Sequence, residues 1–187
     1  MSHTLLSDTR LYILLLGIDG DLRDEVRTGK CPQCGDALHV ADFPRKPRGG
    51  PGKLPEGYAK RFSLCCSREG CRARATPRSV RFLGRRVYLG AVFLLVSAMR
   101  HGLSPRRVGE LRQLLGVSRR TLERWRRWWL DVFRTTPLWR AAQGLLATPV
   151  DPSRLPASLL ERFGGEPMQQ LVAALKFLTP LSTGAAG

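Results

Sequence analysis

Five cysteines are the residues here whose spacing can do chemistry: Cys31, Cys34, Cys65, Cys66 and Cys71. Cys31-Pro-Gln-Cys34-Gly35 places two thiols three residues apart ahead of a glycine, which lets the backbone turn and aim both sulfurs at one ion. Cys66-Ser-Arg-Glu-Gly-Cys71 offers a second pair with four residues between. Four thiolates at about 2.3 Å around Zn would close a structural tetrahedral site, so Cys31, Cys34, Cys66 and Cys71 are the expected ligands and zinc the expected cofactor. A disulfide pair fits less well, because the count is odd, the chain is basic and no export signal is evident. A redox pair would have no need of the second knuckle. Cys65 competes with Cys66. The two point to opposite faces of an extended strand, so only one of them binds, and Cys66 gives the better spacing. His39 is a further ligand candidate, but it lies in the alternating run Ala37–Phe43, which reads as a strand.

The elements that must position these sulfurs follow. Residues 44–57 hold four Pro and four Gly and read as a loop. Being narrow and basic, it suits either an A·T-rich minor groove or, more simply, a flexible hairpin tip. Tyr58–Leu64 and Arg74–Leu83 read as the remaining strands. A three-strand ribbon of this size buries too little to fold on its own core, so the metal should supply much of its stability.

Beyond the ribbon the pattern turns helical. Val87–Met99 fits a buried helix, with Gly102 as its C-cap. Ser104-Pro105 opens a second helix whose apolar face is Val108, Leu111, Leu114 and Leu115. Gly116-Val117-Ser118 breaks the period. Ser118 then caps Arg119–Phe133, with Leu122, Trp125, Trp129, Val132 and Phe133 inward. Helix, short glycine turn, helix is the helix-turn-helix signature. Arg112 stands where a small residue usually permits close packing, so either the helices cross less tightly or Arg112 points outward. In such a unit the first turns of the second helix enter a major groove. Arg119, Arg120, Thr121 and Arg124 sit on its leading face, where Arg can reach guanine bidentately. Arg126 and Arg127 are placed to meet phosphate. Trp128 is either core or a stacking platform for single strands.

Charge agrees with a polyanion partner. The chain has 187 residues and a net charge of +16, and residues 61–134 carry eighteen Arg against four acids. Codon bias explains Arg replacing Lys but not the shortage of acids. The longest apolar runs, Leu11–Ile18 and Val87–Met99, fall short of the ~20 residues that cross a bilayer. With 43% hydrophobic residues, disorder throughout is excluded. Toward the ends, Gly17-Ile-Asp-Gly20 reads as a break between short helices, Ser158-Leu-Leu-Glu161 as a capping box, and Pro167–Leu178 as a docked helix.

The first knuckle, the basic hairpin, the second Cys pair, Arg74-Ala-Thr-Pro-Arg-Ser-Val80 and Leu115-Gly-Val-Ser-Arg-Arg-Thr-Leu-Glu-Arg-Trp125 together resemble the N-terminal zinc-ribbon and helix-turn-helix region of bacterial insertion-sequence transposases. The resemblance covers about residues 30–134. It implies binding of duplex DNA at an element's ends, with Arg119, Arg120 and Arg124 as contacts. Here the ribbon loop is long and the second Cys spacing is four. The catalytic domain of that family, with three acids around two metal ions, has no counterpart in residues 135–187. The expected architecture is mainly α with a small β zinc ribbon. It comprises a short helical segment (1–29), the ribbon (30–85), a three-helix helix-turn-helix unit (86–134) and a helical extension (135–187). The expected function is a cytoplasmic, non-enzymatic, zinc-containing binder of double-stranded DNA, an accessory or truncated transposase-like protein of a mobile element. Its partners would be DNA and a recombinase or a second copy of itself, not a membrane. A transcriptional regulator, or an RNA-binding or assembly module, is the alternative.

Overall fold

Asp8 opens the first long element: its carboxylate accepts the Arg10 backbone N–H at 2.9 Å, after a short helix α1 (Ser2–Ser7). The computed structural model describes residues 2–84, 88–98, 105–144, 146 and 149–183, and about half of the chain is helical. Helix α2 then runs unbroken over Thr9–Thr28, so the expected break at Gly17–Gly20 does not occur. Each glycine disfavours the helix by up to about 1 kcal/mol. Burying Leu11, Tyr12 and Leu15 completely outweighs that.

Lys30, with a positive φ, reverses the chain out of α2 and into the first cysteine turn. Five short strands follow: β1 (Leu38–Val40), β2 (Phe43–Pro44), β3 (Lys60–Arg61), β4 (Leu64–Cys66) and β5 (Arg74–Ala75). They form an antiparallel sheet in the order β1-β4-β5 and a separate antiparallel pair β2-β3. The expected long strands Tyr58–Leu64 and Arg74–Leu83 are therefore cut short. Arg61 and the segment Ser79–Leu83 turn inward to become core. The loop between β2 and β3 is not a free tip. Leu89 donates its N–H to the Arg48 carbonyl at 3.2 Å, and Gly49 sits so close that a Cβ there would meet Val92 at 2.9 Å.

The centre of the molecule is α3 (Gly90–Ser97), seven of whose residues, Gly90–Val96, are buried. It begins three residues later than the apolar run, because Leu89 is held extended in a bridge with Phe82. The expected caps Gly102 and Ser104 lie outside the described residues. Against α3 pack α4 (Pro105–Leu115) and α5 (Arg119–Arg127) by way of Leu111, Leu115, Val117, Leu122 and Trp125. The backbone then widens to a π turn at Trp128–Val132 and tightens to a 3₁₀ turn at Phe133–Thr135. The extra residue in the π turn swings Val132 out of the face, to 49% exposure, while Phe133 stays buried; the expectation of an inward Val132 is corrected. After α6 (Pro137–Gln143) come α7 (Ala157–Leu160) and α8 (Pro167–Phe177). The capping box stands at Glu166 and Gln169 on α8, not at Ser158, whose hydroxyl instead donates to the Asp151 carbonyl at 2.6 Å.

One buried cluster takes residues from Leu6 to Leu181, and a second, small one surrounds Cys31, Leu38, Leu64 and Cys66. The first cluster is pinned by a charged lock set against Tyr58 and Phe82. The Asp19 carboxylate accepts from Arg81 Nε at 2.7 Å, the Val80 N–H at 2.7 Å and the Ser79 hydroxyl at 2.5 Å. Arg81 Nη1 reaches the Tyr58 carbonyl at 2.7 Å, and its guanidinium lies 4.5–5.2 Å from the ring centres of Tyr58, Phe62 and Phe82. Removing one partner of a buried pair strands the other charge, which costs about 3–5 kcal/mol. Asp19→Ala is expected to lower unfolding stability by that amount in urea titrations, whereas Arg27→Ala, exposed near the end of α2, should stay within about 0.5 kcal/mol.

Candidate functional site

The first cysteine pair is set by a tight turn at the end of α2. Gly35, at φ +73°, donates its N–H to the Cys31 carbonyl at 2.8 Å, and the Cys31 N–H donates to Asp36 O at 2.9 Å. The second pair straddles a turn closed by Gly70, at φ +84°, in which Arg68 N–H donates to the Cys66 sulfur at 3.4 Å. Pairing of β1 with β4 sets Leu38 opposite Cys66 and carries the second turn to the first. The four Sγ atoms of Cys31, Cys34, Cys66 and Cys71 consequently lie within 4.8 Å of one another. Cys34 and Cys66 approach to 3.4 Å, Cys31 and Cys71 to 3.9 Å.

Sulfurs bound tetrahedrally at about 2.3 Å from one ion are about 3.8 Å apart, inside the 3.4–4.8 Å range found here, so small side-chain adjustments would let the four close on one metal. Cys65 is on the other face of β4, its thiol directed to the carbonyls of Cys66 and Arg72 at 3.7 Å. The pleat therefore decides between the two neighbours: Cys66 joins the cluster and Cys65 does not. His39 sits opposite Cys65 and stays exposed, outside the cluster. The site's electrostatics favour a cation. The Gln33 N–H donates to the Cys31 sulfur and lowers that thiol to about 7, while burial pushes Cys66 up to about 12. Converting the buried thiol to a thiolate needs positive charge at the cluster's centre.

No model of a known protein family, no curated protein and no solved structure matches the chain. Its chemistry has to be read from the side chains themselves.

The second candidate surface is α5. Gly116, at φ +63°, turns the chain out of α4 and donates to the Arg112 carbonyl at 2.9 Å. The Ser118 hydroxyl accepts the Thr121 N–H at 3.3 Å and caps α5. Arg112 is exposed, the outward alternative of the two open in the sequence. Because Leu122 and Trp125 face the core, the remaining positions face solvent. Arg120, Arg124 and Arg127, at i, i+4 and i+7, form one exposed stripe. Arg119 is exposed too, but Glu123 pairs with it at 3.0 Å; Arg126 lies on that second stripe. Thr121 is half-buried, with its hydroxyl 3.1 Å from that of Ser118, so it serves the cap. Trp128 is edge-on to Phe93 and Trp129, at 5.2 and 4.9 Å between ring centres, and tilted on Phe133. It belongs to an aromatic column and is not a free stacking surface.

The residues that sequence reasoning missed are the buried structural pair Asp19 and Arg81, whose pairing spans 62 positions and leaves no local signal. For the cluster, metal analysis by plasma mass spectrometry is expected to find one equivalent per chain in Cys65→Ser and none in Cys66→Ser or Cys34→Ser. Binding must expel the thiol protons, so metal affinity should fall as pH is lowered from about 8 to about 6 in dye-competition titrations.

Proposed function

We propose that the protein binds double-stranded DNA, with α4 and α5 acting as a helix-turn-helix unit and with zinc held by Cys31, Cys34, Cys66 and Cys71 as a structural ion. The observation that carries this reading is the stripe Arg120, Arg124 and Arg127, exposed on a helix whose opposite face is anchored in the core by Leu122 and Trp125. A guanidinium on an exposed first turn can reach guanine O6 and N7, and those further along can meet phosphate. The cap at Ser118 fixes where that first turn begins. The acids are too few to neutralise the surface: residues 61–134 hold four acids against eighteen Arg, and Glu123 already serves Arg119.

Zinc, when bound, supplies no reaction. Four thiolates leave no open coordination position, so its part is to cross-link the two turns and steady the small sheet. Cys31 and Cys34 hold it from the turn after α2, Cys66 and Cys71 from the turn after β4. Among resemblances, that to the DNA-binding region of insertion-sequence transposases fits this reading, with residues 135–187 serving as helical packing rather than as a catalytic half. An accessory role beside a recombinase is consistent with it. The packing of Trp128 among Phe93, Trp129 and Phe133 favours duplex over single-strand binding, because stacking on bases requires an open ring face.

Counterion release makes such binding steeply salt-dependent. Footprinting on a duplex library at low and at physiological salt should show protection that weakens sharply with salt. Arg120→Ala should weaken binding to the selected site by about 1–3 kcal/mol while leaving non-specific binding nearly unchanged. An equal loss on all duplexes would move Arg120 to the phosphate class. Absence of protection at any salt, with metal content intact, would end the proposal.

A further inference from the structure

Helix α2 is apolar on two sides, and its own fold uses only one of them. Leu11, Tyr12 and Leu15 face inward, fully buried. On the opposite side Ile13 is 58% and Leu14 43% exposed, two of the four large apolar residues that stand out on the described surface. The exposed stripe runs Arg10, Ile13, Leu14, Gly17, Asp21, Asp24, at the spacing of a helix–helix seam. Its ends are opposite in charge. Arg10 is basic and its side chain is 85% exposed although Asp8 pairs with it at 2.8 Å; Asp24 is acidic and 61% exposed beside Arg23.

Two glycines sit in the middle. Gly17 and Gly20 have no atom within 4 Å of where a Cβ would stand, and neither has a positive φ. Among the described residues nothing outside the helix's own backbone requires glycine at either position, yet each weakens the helix. Close approach of a second helix from outside gives both a reason.

We propose that α2 is the interface of a homodimer, in which two copies pair antiparallel across a two-fold axis at Gly17. Under that symmetry residue 17−k faces residue 17+k of the other copy. Arg10 then meets Asp24, Leu14 lies over Gly20, and the two copies of Gly17 face each other. Ile13 meets the region of Asp21, where each copy offers a groove of about 530 Å³ lined by Ile18, Asp21, Leu22 and Lys176. A second groove of about 320 Å³, between Leu14 and Met168, Val172 and Ala173 of α8, widens the apolar patch. A parallel pair would set Arg10 against Arg10 and Asp24 against Asp24, so charge selects the antiparallel one. The location is also where two strongly basic chains can meet. Residues 1–30 hold five acids and four bases, while the arginine-rich segment lies elsewhere in sequence.

This interface does not depend on DNA binding, and it is tested without DNA. Sedimentation equilibrium of the full chain should give a dimer. Asp24→Arg alone and Arg10→Glu alone should each raise the dimer dissociation constant by about tenfold or more, and combining them should restore it. Ile13→Glu should yield a monomer with an unchanged far-UV circular dichroism spectrum and, at concentrations where the wild type is dissociated, an unchanged melting temperature, since this side chain is exposed and outside the core. A wild-type chain that sediments as a monomer, a dimer that survives Ile13→Glu, or a charge-swapped double variant no tighter than either single would each overturn the proposal.

Discussion

Burying one carboxylate and one guanidinium together is the constraint on which the rest of this structure depends. Asp19 and Arg81 are essentially without solvent, at 1% and 0% exposure. A charge so placed is tolerable only where partners are supplied; here they come from distant parts of the chain, although Arg81 Nη2 itself has no hydrogen-bond partner among the described residues. Asp19 brings α2. Ser79, Val80 and Arg81 bring the segment before α3. Tyr58 brings the end of the long loop, and the Ser79 N–H in turn donates to the Ser182 hydroxyl at 2.9 Å, which brings the C-terminal turn. Any other docking of α2 would leave a charge unpaired, so the pair selects one arrangement even where an apolar pair of the same volume would bind as tightly.

That selection matters for the two candidate sites, because α2 and α3 lead to them. The end of α2 sets the first cysteine turn, and the turn's own cluster has only four buried residues, too few to hold a fold by apolar burial. A cross-linking ion is the stabilisation such a lobe lacks. On the other side, α3 is the wall against which α5 lies. Phe93 is stacked on Trp129 at 5.3 Å and meets Trp125 edge-on at the same distance, which fixes the rotation of α5 about its axis. Fixing that rotation is what makes the arginines at 120, 124 and 127 a surface feature and not a matter of chance.

What was legible in the sequence was what is local. Cysteine spacing depends on turns of a few residues, so the four-thiol set could be read. The pleat said that only one of Cys65 and Cys66 could bind, and the spacing to Cys71 chose Cys66. Ser118 and Gly116 announce their caps by type and position, and Leu122 and Trp125 their inward face by period. The misreadings arose where tertiary contacts overrule local signals. Gly17 and Gly20 are weak helix formers in a helix held by burial elsewhere along it. Val132 fits a 3.6-residue period that the π turn abandons. Ser158 has the side chain of a cap but spends it on Asp151. Gly49 and Gly50 have the composition of a free loop, yet their lack of side chains is what lets the loop lie against Val92 and Leu89.

Net charge misleads in a related way. The eighteen Arg of residues 61–134 suggest a uniformly basic surface, but among the described residues two of them are interior. Arg81 serves Asp19, and Arg61, 3% exposed, donates to the Pro77 carbonyl at 2.5 Å. Lysine could not replace Arg81: its guanidinium reaches the Asp19 carboxylate and the Tyr58 carbonyl from one fixed plane and lies among three aromatic rings, which an ammonium does less well. Arginine is thus used for its shape inside and for its charge outside. The number that matters to a polyanion is smaller than the sum over the chain, and its placement is narrower. On α5 one stripe is tempered by Glu123 and the other, Arg120-Arg124-Arg127, carries no acid at all. Exposed negative charge is thus unevenly distributed between those two neighbouring stripes.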